Sequence, residues 1–234
     1  YRRRFQLALT IGISLFATII LFVFMHVLKV APGILIFDLL ASLYRVVIAY
    51  FISLFISVFL AILVTRNPLV EDIFLPILDV LQSFPSFAIL PIATLWFGAS
   101  SLTAIVFLVI TIIWPVLFNI ISGIKNMRGD TSEAATIFGA IGIKRIWHFL
   151  LPALFPAIVT GSIIGWGEAW DAIIGAEIIG ISTGIGAFLS NASKAGNGKV
   201  LAFGIIALLF FVFFLNKLIW LPLLKKSTQF SNED

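Results

Sequence analysis

Three carboxylates in one long apolar stretch, Glu168, Asp171 and Glu177, are the residues of this 234-residue chain most able to do chemistry. A carboxylate among apolar neighbours is costly unless it faces water, pairs with a cation or takes up a proton, so each needs a partner or a task. On a helix, Glu168 and Asp171 share a face, about 60° apart, whereas Glu177 points about 180° away from Glu168. Glu168 and Asp171 can therefore line one water-filled path, and Glu177 cannot line it with them. Arg45 is another lone charge in an apolar run, and pairing with Glu177 makes the two a candidate structural ion pair. Bond-making chemistry has little support: no nucleophile and base form a recognisable constellation. The chain has no Cys, and His26 and His148 stand alone, so no metal cluster is indicated. Gly198-Lys199 is followed by Val200 and lacks the upstream glycine of a phosphate-binding loop.

The elements that must position these groups are membrane helices. Hydrophobic residues make up 61% of the chain and charged residues 11%, with a mean hydropathy of +1.17, which excludes a soluble domain. The net charge of +4 does not point to nucleic acid, because the basic residues flank apolar runs instead of interleaving with aromatics on one face. A spanning helix needs about 20 apolar residues at about 1.5 Å each. Leu7 to Leu28 meets this and is too long for a signal-peptide core, so it reads as a retained span in a chain that begins at Tyr1 and can have residues before it. Val46 to Val64 is the second span, closed by Arg66-Asn67-Pro68. Val80 to Ile124 carries no charge and is about twice the length of one crossing, so it folds back, with Gly98-Ala99-Ser100-Ser101 as the turn. Phe149 to about Ile179 and Val200 to Leu224 complete six crossings, separated by a Gly/Ser/Asn-rich stretch from Gly180 to Lys199.

Six crossings place both termini on one side. That side collects Arg2, Arg3, Arg4, Arg66, Lys125, Arg128, Lys144, Arg145, Lys225 and Lys226; the other holds Lys29, Lys194 and Lys199. The bias puts both termini and the segment of about 125–150 in the cytoplasm, with the single membrane domain at 1–226 and a polar tail at 227–234. Pro85 and Pro91 would each remove a backbone hydrogen bond inside the third span, kink it and free carbonyls that face a cavity, which makes them candidates for the pathway. Gly161 and Gly165 form G-x-x-x-G, a site of close helix approach within the chain.

Lys125 to His148 is polar and long enough to fold outside the bilayer. Asp130 with Glu133 three residues on reads as a capping box, Ala134 and Ala135 favour a narrow helix, and Gly139 permits a sharp turn before Ile141, Ile143, Ile146 and Trp147 present a second apolar face. Pro152 then fits the first turn of the fifth span. Glu133-Ala134-Ala135, Gly139 and Leu151-Pro152 resemble the E-A-A-x3-G-x9-I-x-L-P loop of ABC importer permeases, with Phe149 where that family usually has Ile. Phe84-Pro85-Ser86-Phe87-Ala88, Pro91, Leu95-Trp96-Phe97-Gly98, Gly167, Ala169-Trp170 and Ala176-Glu177 resemble the group of such permeases that serves nitrate, sulfonates, taurine and bicarbonate.

The resemblance implies an all-α polytopic membrane protein of about six helices, with the type I, MetI-like importer architecture. It also implies that the chain is half of a pore, paired with a second permease subunit, in a homodimer by default. Two cytoplasmic ATP-binding subunits would take the Glu133 loop in a groove, and an extracytoplasmic substrate-binding protein would deliver the nutrient. ATP and Mg would be bound by the partner subunits and no cofactor by this chain. The expected setting is the cytoplasmic membrane of a prokaryote. The alternative is a proton- or ion-coupled secondary transporter that uses the fifth-span carboxylates; such a carrier has no need of the loop.

Overall fold

In the computed structural model the described residues are 26–27, 30–127 and 146–231. They form α-helices joined by short turns. The first, α1 (Pro32–Val64), is 33 residues long, about 50 Å at the usual rise, and exceeds the membrane core. Pro32 lies in its first turn, where a missing N–H costs nothing. It starts well before Val46, because Asp38 and Arg45 are accommodated inside the helix instead of ending it. The stop at Arg66-Asn67-Pro68 falls where the sequence places it: the Asn67 side chain accepts the Leu69 N–H at 3.0 Å and so caps α2 (Pro68–Gln82).

The third crossing is broken, not kinked. Helix α2 is followed by a single 3₁₀ turn, Ser86–Ala88, and by α3 (Leu90–Phe97), and the two arms are bent by 73°. Pro85 sits extended ahead of the turn and Pro91 lies in the first turn of α3, so Pro91 takes no hydrogen bond from a helix interior. The crossing also begins at Pro68, not Val80, since Glu71, Asp72 and Asp79 are carried on α2. The prolines found inside helices are instead Pro76 in α2 and Pro115 in α4 (Ser101–Lys125). The fold-back at Gly98–Ser101 is as read: Gly98 has a φ of 70°, and Ser100 caps α4 by accepting the Thr103 N–H at 3.4 Å.

Helix α4 is the centre of the bundle. Ala104, Phe107, Leu108, Ile112, Val116, Leu117 and Ile120 are wholly buried on it. On one side Ser53 and Ser57 of α1 donate to the Val109 and Ile113 carbonyls at 3.2 and 3.0 Å. On the other lies α5 (Phe155–Gly180), preceded by a π-helical turn and a short helical segment, Ile146–Ala153, bent 58° from it. Pro152 is in the first turn of that short segment, ahead of the bend. A Cβ at Gly161 would lie 2.9 Å from the Pro115 carbonyl oxygen, and one at Gly165 would lie 3.0 Å from Ile112 Cγ2. The G-x-x-x-G pair therefore brings α5 against α4 of the same chain.

The Gly/Ser/Asn-rich stretch between the last crossings is not a mere linker. It contains α6 (Ile185–Lys194), which packs against α5, α1 and α7 (Gly198–Leu215). A π-helical turn, Asn216–Trp220, leads into α8 (Leu221–Ser231), so helix continues into the polar tail. Tyr50, Trp166 and Trp220 stack edge-to-face at centroid distances of 5.7–5.9 Å and lock α1, α5 and this last crossing together. Phe37, Tyr44, Phe51, Phe55 and Phe59 are exposed along α1, as a lipid-facing surface requires. Among the described residues, three helices are long and apolar enough to cross a membrane, and five crossings result if each bent pair is one. The first span read from the sequence, Leu7 to Leu28, lies outside the described residues apart from 26–27.

Candidate functional site

At the end of the bundle away from Lys125 and Ile146, one face of α1 presents Asp38, Ser42 and Arg45 to the turn between α5 and α6. Arg45 Nη1 donates to Glu177 Oε1 at 2.6 Å and to the Thr183 carbonyl at 2.8 Å. Its Nη2 donates to Thr183 Oγ1 at 2.6 Å and its Nε to Ser101 Oγ at 3.1 Å. Glu177 also accepts from Ser42 Oγ at 2.8 Å and from the Gly186 N–H at 2.8 Å. The Gly184 N–H donates to Asp38 Oδ1 and the Ile185 N–H to Ser42 Oγ, both at 2.9 Å. The orphan N–H groups that open α6 are thus met by side chains of α1 and α5. This is why a glycine-rich stretch becomes helix: tertiary capping outweighs its weak propensity.

Glu177 and Arg45 are 1% and 3% exposed, so both charges are fully desolvated and depend on one another and on these hydrogen bonds. The local sequence is shaped to admit them. Gly184 has a φ of 114°, and a Cβ there would come within 2.2 Å of the Glu177 carboxylate; one at Gly186 would come within 2.6 Å of the Ile174 carbonyl oxygen. Arg45 and Glu177, paired as candidates from sequence, meet here. Asp38 and Ser42 were not among the candidates, yet their spacing from Arg45 (i, i+4, i+7) puts all three on one helix face and is a usable signal.

Glu168 and Asp171 lie on the other face of α5. Both are exposed, and they line a cleft of about 430 Å³ with Ser86, Phe87, Thr111, Gly167 and Ala172. The broken crossing supplies one wall. Phe87 packs on α4 through Phe107, ring centroids 5.3 Å apart, and on α5 at Gly175, where a Cβ would meet its ring at 2.4 Å. Pro85 and Pro91 are exposed but do not line this cleft; they set the turn that delivers Ser86 and Phe87 to it. The lining residues include two carboxylates and no basic side chain.

Glu133, Ala134, Ala135 and Gly139 lie outside the described residues. Leu151 and Pro152 are described and form, with Trp147, Phe155 and Lys226, the walls of a groove of about 320 Å³. Nearby, Lys125 Nζ meets Glu71 Oε1 at 2.6 Å, joining the last residue of α4 to the first turn of α2. Among the described residues no group of His, Cys, Asp and Glu is arranged to hold a metal ion.

Residues 53–220, more than half of the chain, match the family described as binding-protein-dependent transport system inner membrane component. The chain belongs to this family. The taurine transport system permease protein of Escherichia coli K12 is 29% identical over 177 residues, covering 76% of this chain and 64% of the relative. The nitrate import permease protein of Leptolyngbya laminosa is 33% identical over 172 residues, 74% and 62% of the two chains. The bicarbonate transport system permease protein of Synechocystis sp. is 34% identical over 160 residues, 68% and 57%. In each case the match spans less than two thirds of the relative's length.

As a binding-protein-dependent transport component with several helices able to cross a membrane, the protein is a multi-pass membrane protein, and its family is one of transport. The matched region contains the broken crossing, the Glu133 loop, the cleft and Glu177; Asp38, Ser42 and Arg45 precede it.

Proposed function

We propose that the chain is the membrane-spanning permease subunit of an ATP-driven importer, forming half of a pore for a small polar nutrient. The observation that carries this reading is the spacing from Glu133 to Pro152, inside a stretch that matches a binding-protein-dependent transport component. The loop engages a cytoplasmic pair of ATP-binding subunits, which hold the ATP and Mg. A second copy of the chain completes the pore and a substrate-binding protein docks outside. Both termini are cytoplasmic, as the ten-to-three bias of Lys and Arg supports. Closure of the ATP-binding pair draws the two loops together and opens the pore outward; hydrolysis resets it.

Glu168 and Asp171 are the pathway carboxylates: they are exposed in a cleft on a long apolar helix, where contact with lipid would be costly and contact with water is not. Pro85 and Pro91 act on the pathway through the turn they set. Arg45 and Glu177 are structural. The relatives' names specify taurine, nitrate and bicarbonate. A cleft with two carboxylates and no cation repels a bare anion, which favours a neutral or zwitterionic solute of that size.

The test is co-purification and uptake. Glu133→Lys and Gly139→Val should insert normally yet lose the ATP-binding subunit and ATP-dependent uptake. Glu168→Gln and Asp171→Asn should retain the subunit and folded yield but change uptake rate or selectivity. Uptake that proceeds with no ATP-binding subunit and follows a proton gradient would overturn the proposal in favour of a secondary carrier, a reading that the loop and the family both weigh against.

A further inference from the structure

Helix α2 is held differently from every long helix around it. It buries one residue, Leu78, whereas α4 buries nine. Among the described residues its other side-chain hydrogen bonds are internal or to its own cap: Gln82 donates to Asp79, Ser83 to the Asp79 carbonyl, and the Leu69 N–H to Asn67. Among the described residues, Glu71–Lys125 is its one polar side-chain contact with another helix. Beyond Ser83 the chain turns by 73° into a part that is anchored, with Phe87 wedged between Phe107 and Gly175. Between α2 and α4 lies a cleft of about 380 Å³, lined by Leu75, Asp79, Phe118, Ser122 and Lys125 among others. An arm that packs little on the described residues, with a fixed hinge at one end, one ionic tie to them at the other and space beside it, can swing as a unit.

The tie's position decides what moves it. Lys125 ends α4 and is followed by Asn126 and Met127, after which the chain enters 128–145. The pair joins the C-terminal end of α4 to the first turn of α2, where each charge is favoured by its own helix dipole. Lys125 is half-exposed and Glu71 partly so, and an ion pair of that kind contributes little to stability. It is thus unsuited to hold the fold and suited to make a reversible link.

We propose that Glu71 and Lys125 are positioning residues for transport: the pair transmits displacement of the Glu133 loop to α2, which then closes or opens the cleft beside α4. The inference rests on the reading that this loop engages an ATP-binding subunit. Ser122 is exposed in the cleft, and the chain has no Cys, so Ser122→Cys supplies a single thiol. Its rate of labelling by a thiol reagent is measured in the permease co-purified with its ATP-binding subunit, without nucleotide and with ATP plus vanadate.

With the native pair the rate should change at least about fivefold, the lower end of ordinary coupling between sites. Glu71→Lys or Lys125→Glu alone should abolish that response while the ATP-binding subunit still co-purifies, and the double exchange should restore it. A merely structural pair would leave the response intact in the single variants. That result, or failure of the exchanged pair to restore the response while both singles lose it, overturns the proposal. If the unmodified permease retains no ATP-binding subunit, the coupling reading itself fails and takes the proposal with it.

Discussion

The two ion pairs among the described residues have the same ingredients and opposite surroundings. Arg45–Glu177 and Lys125–Glu71 are both 2.6 Å contacts between an α1 or α4 cation and a carboxylate on another helix. The first has side chains 4% and 0% exposed and is enclosed by Ser42, Ser101, Thr183 and the N–H groups of α6; the second has side chains 50% and 20% exposed. Distance alone therefore says nothing about what a pair does. A desolvated charge cannot be left without its partner, so the buried pair must persist through any motion, whereas the hydrated pair can break and reform with water as its substitute. One end of the bundle is clamped, and the other is held by a tie that can release.

The strongest way to break this comparison is to remove one half of the buried pair. Glu177→Gln leaves the Arg45 guanidinium buried and uncompensated, which should cost about 3–5 kcal/mol. Arg45→Gln should cost a similar amount, and the double variant should cost clearly less than the two together. Thermal unfolding in detergent of the two single variants and the double variant checks this. Additive losses would mean that the two residues act independently and that the clamp is a set of separate contacts.

Glycine supplies the next step down. Gly184 and Gly196 both have positive φ, 114° and 66°, but a Cβ at Gly184 strikes the Glu177 carboxylate while one at Gly196 meets nothing within 4 Å. Gly196→Ala should cost only the left-handed backbone penalty, about 1–2 kcal/mol. Gly184→Ala should cost more, since it also displaces Glu177 from Arg45 and Ser42, and it should add little on top of Glu177→Gln. Equal losses at the two glycines would show that the clamp tolerates a displaced carboxylate.

How far these features are legible in the sequence depends on whether a residue's environment is local. Ends marked by punctuation such as Asn67-Pro68 and Gly98 match the helices found, whereas the starts read from apolar length at Val46 and Val80 fall inside helices that begin at Pro32 and Pro68. Arg45 and Glu177 stand out because a charge inside an apolar run has few ways to be satisfied. Asp38 and Ser42 do not stand out: the first lies near a span end and the second is small, and their task, capping α6, exists only once α1 and α6 are adjacent. The same dependence hides α6 itself, whose glycines argue locally for a linker. Pro85 and Pro91 were legible as disruption but not as a complete break, because only the lodging of Phe87 against Gly175 determines where the arm must turn. Glu71 and Asp79 mark a helix that carries charge into a crossing, which a boundary drawn at the first uncharged run leaves out.

The smallest expected effect is the one that sharpens the comparison most. Lys125→Gln removes the loop-end cation but leaves Glu71 able to hydrate, so the loss of stability should be about 0.2–1 kcal/mol. Salt should reproduce part of it. The Debye length falls from about 10 Å at 0.1 M to about 3 Å at 1 M, and an exposed pair feels that screening while an enclosed one does not. Unfolding of the native protein should therefore shift slightly with added salt, and the Lys125→Gln variant should show a smaller shift because the screened interaction is already gone. A chain carrying Glu177→Gln should keep the native salt response, since the buried pair was never exposed to the ions. If Lys125→Gln instead destabilises as strongly as Glu177→Gln, the loop-end pair is a second clamp, and α2 is a fixed wall instead of a moving arm.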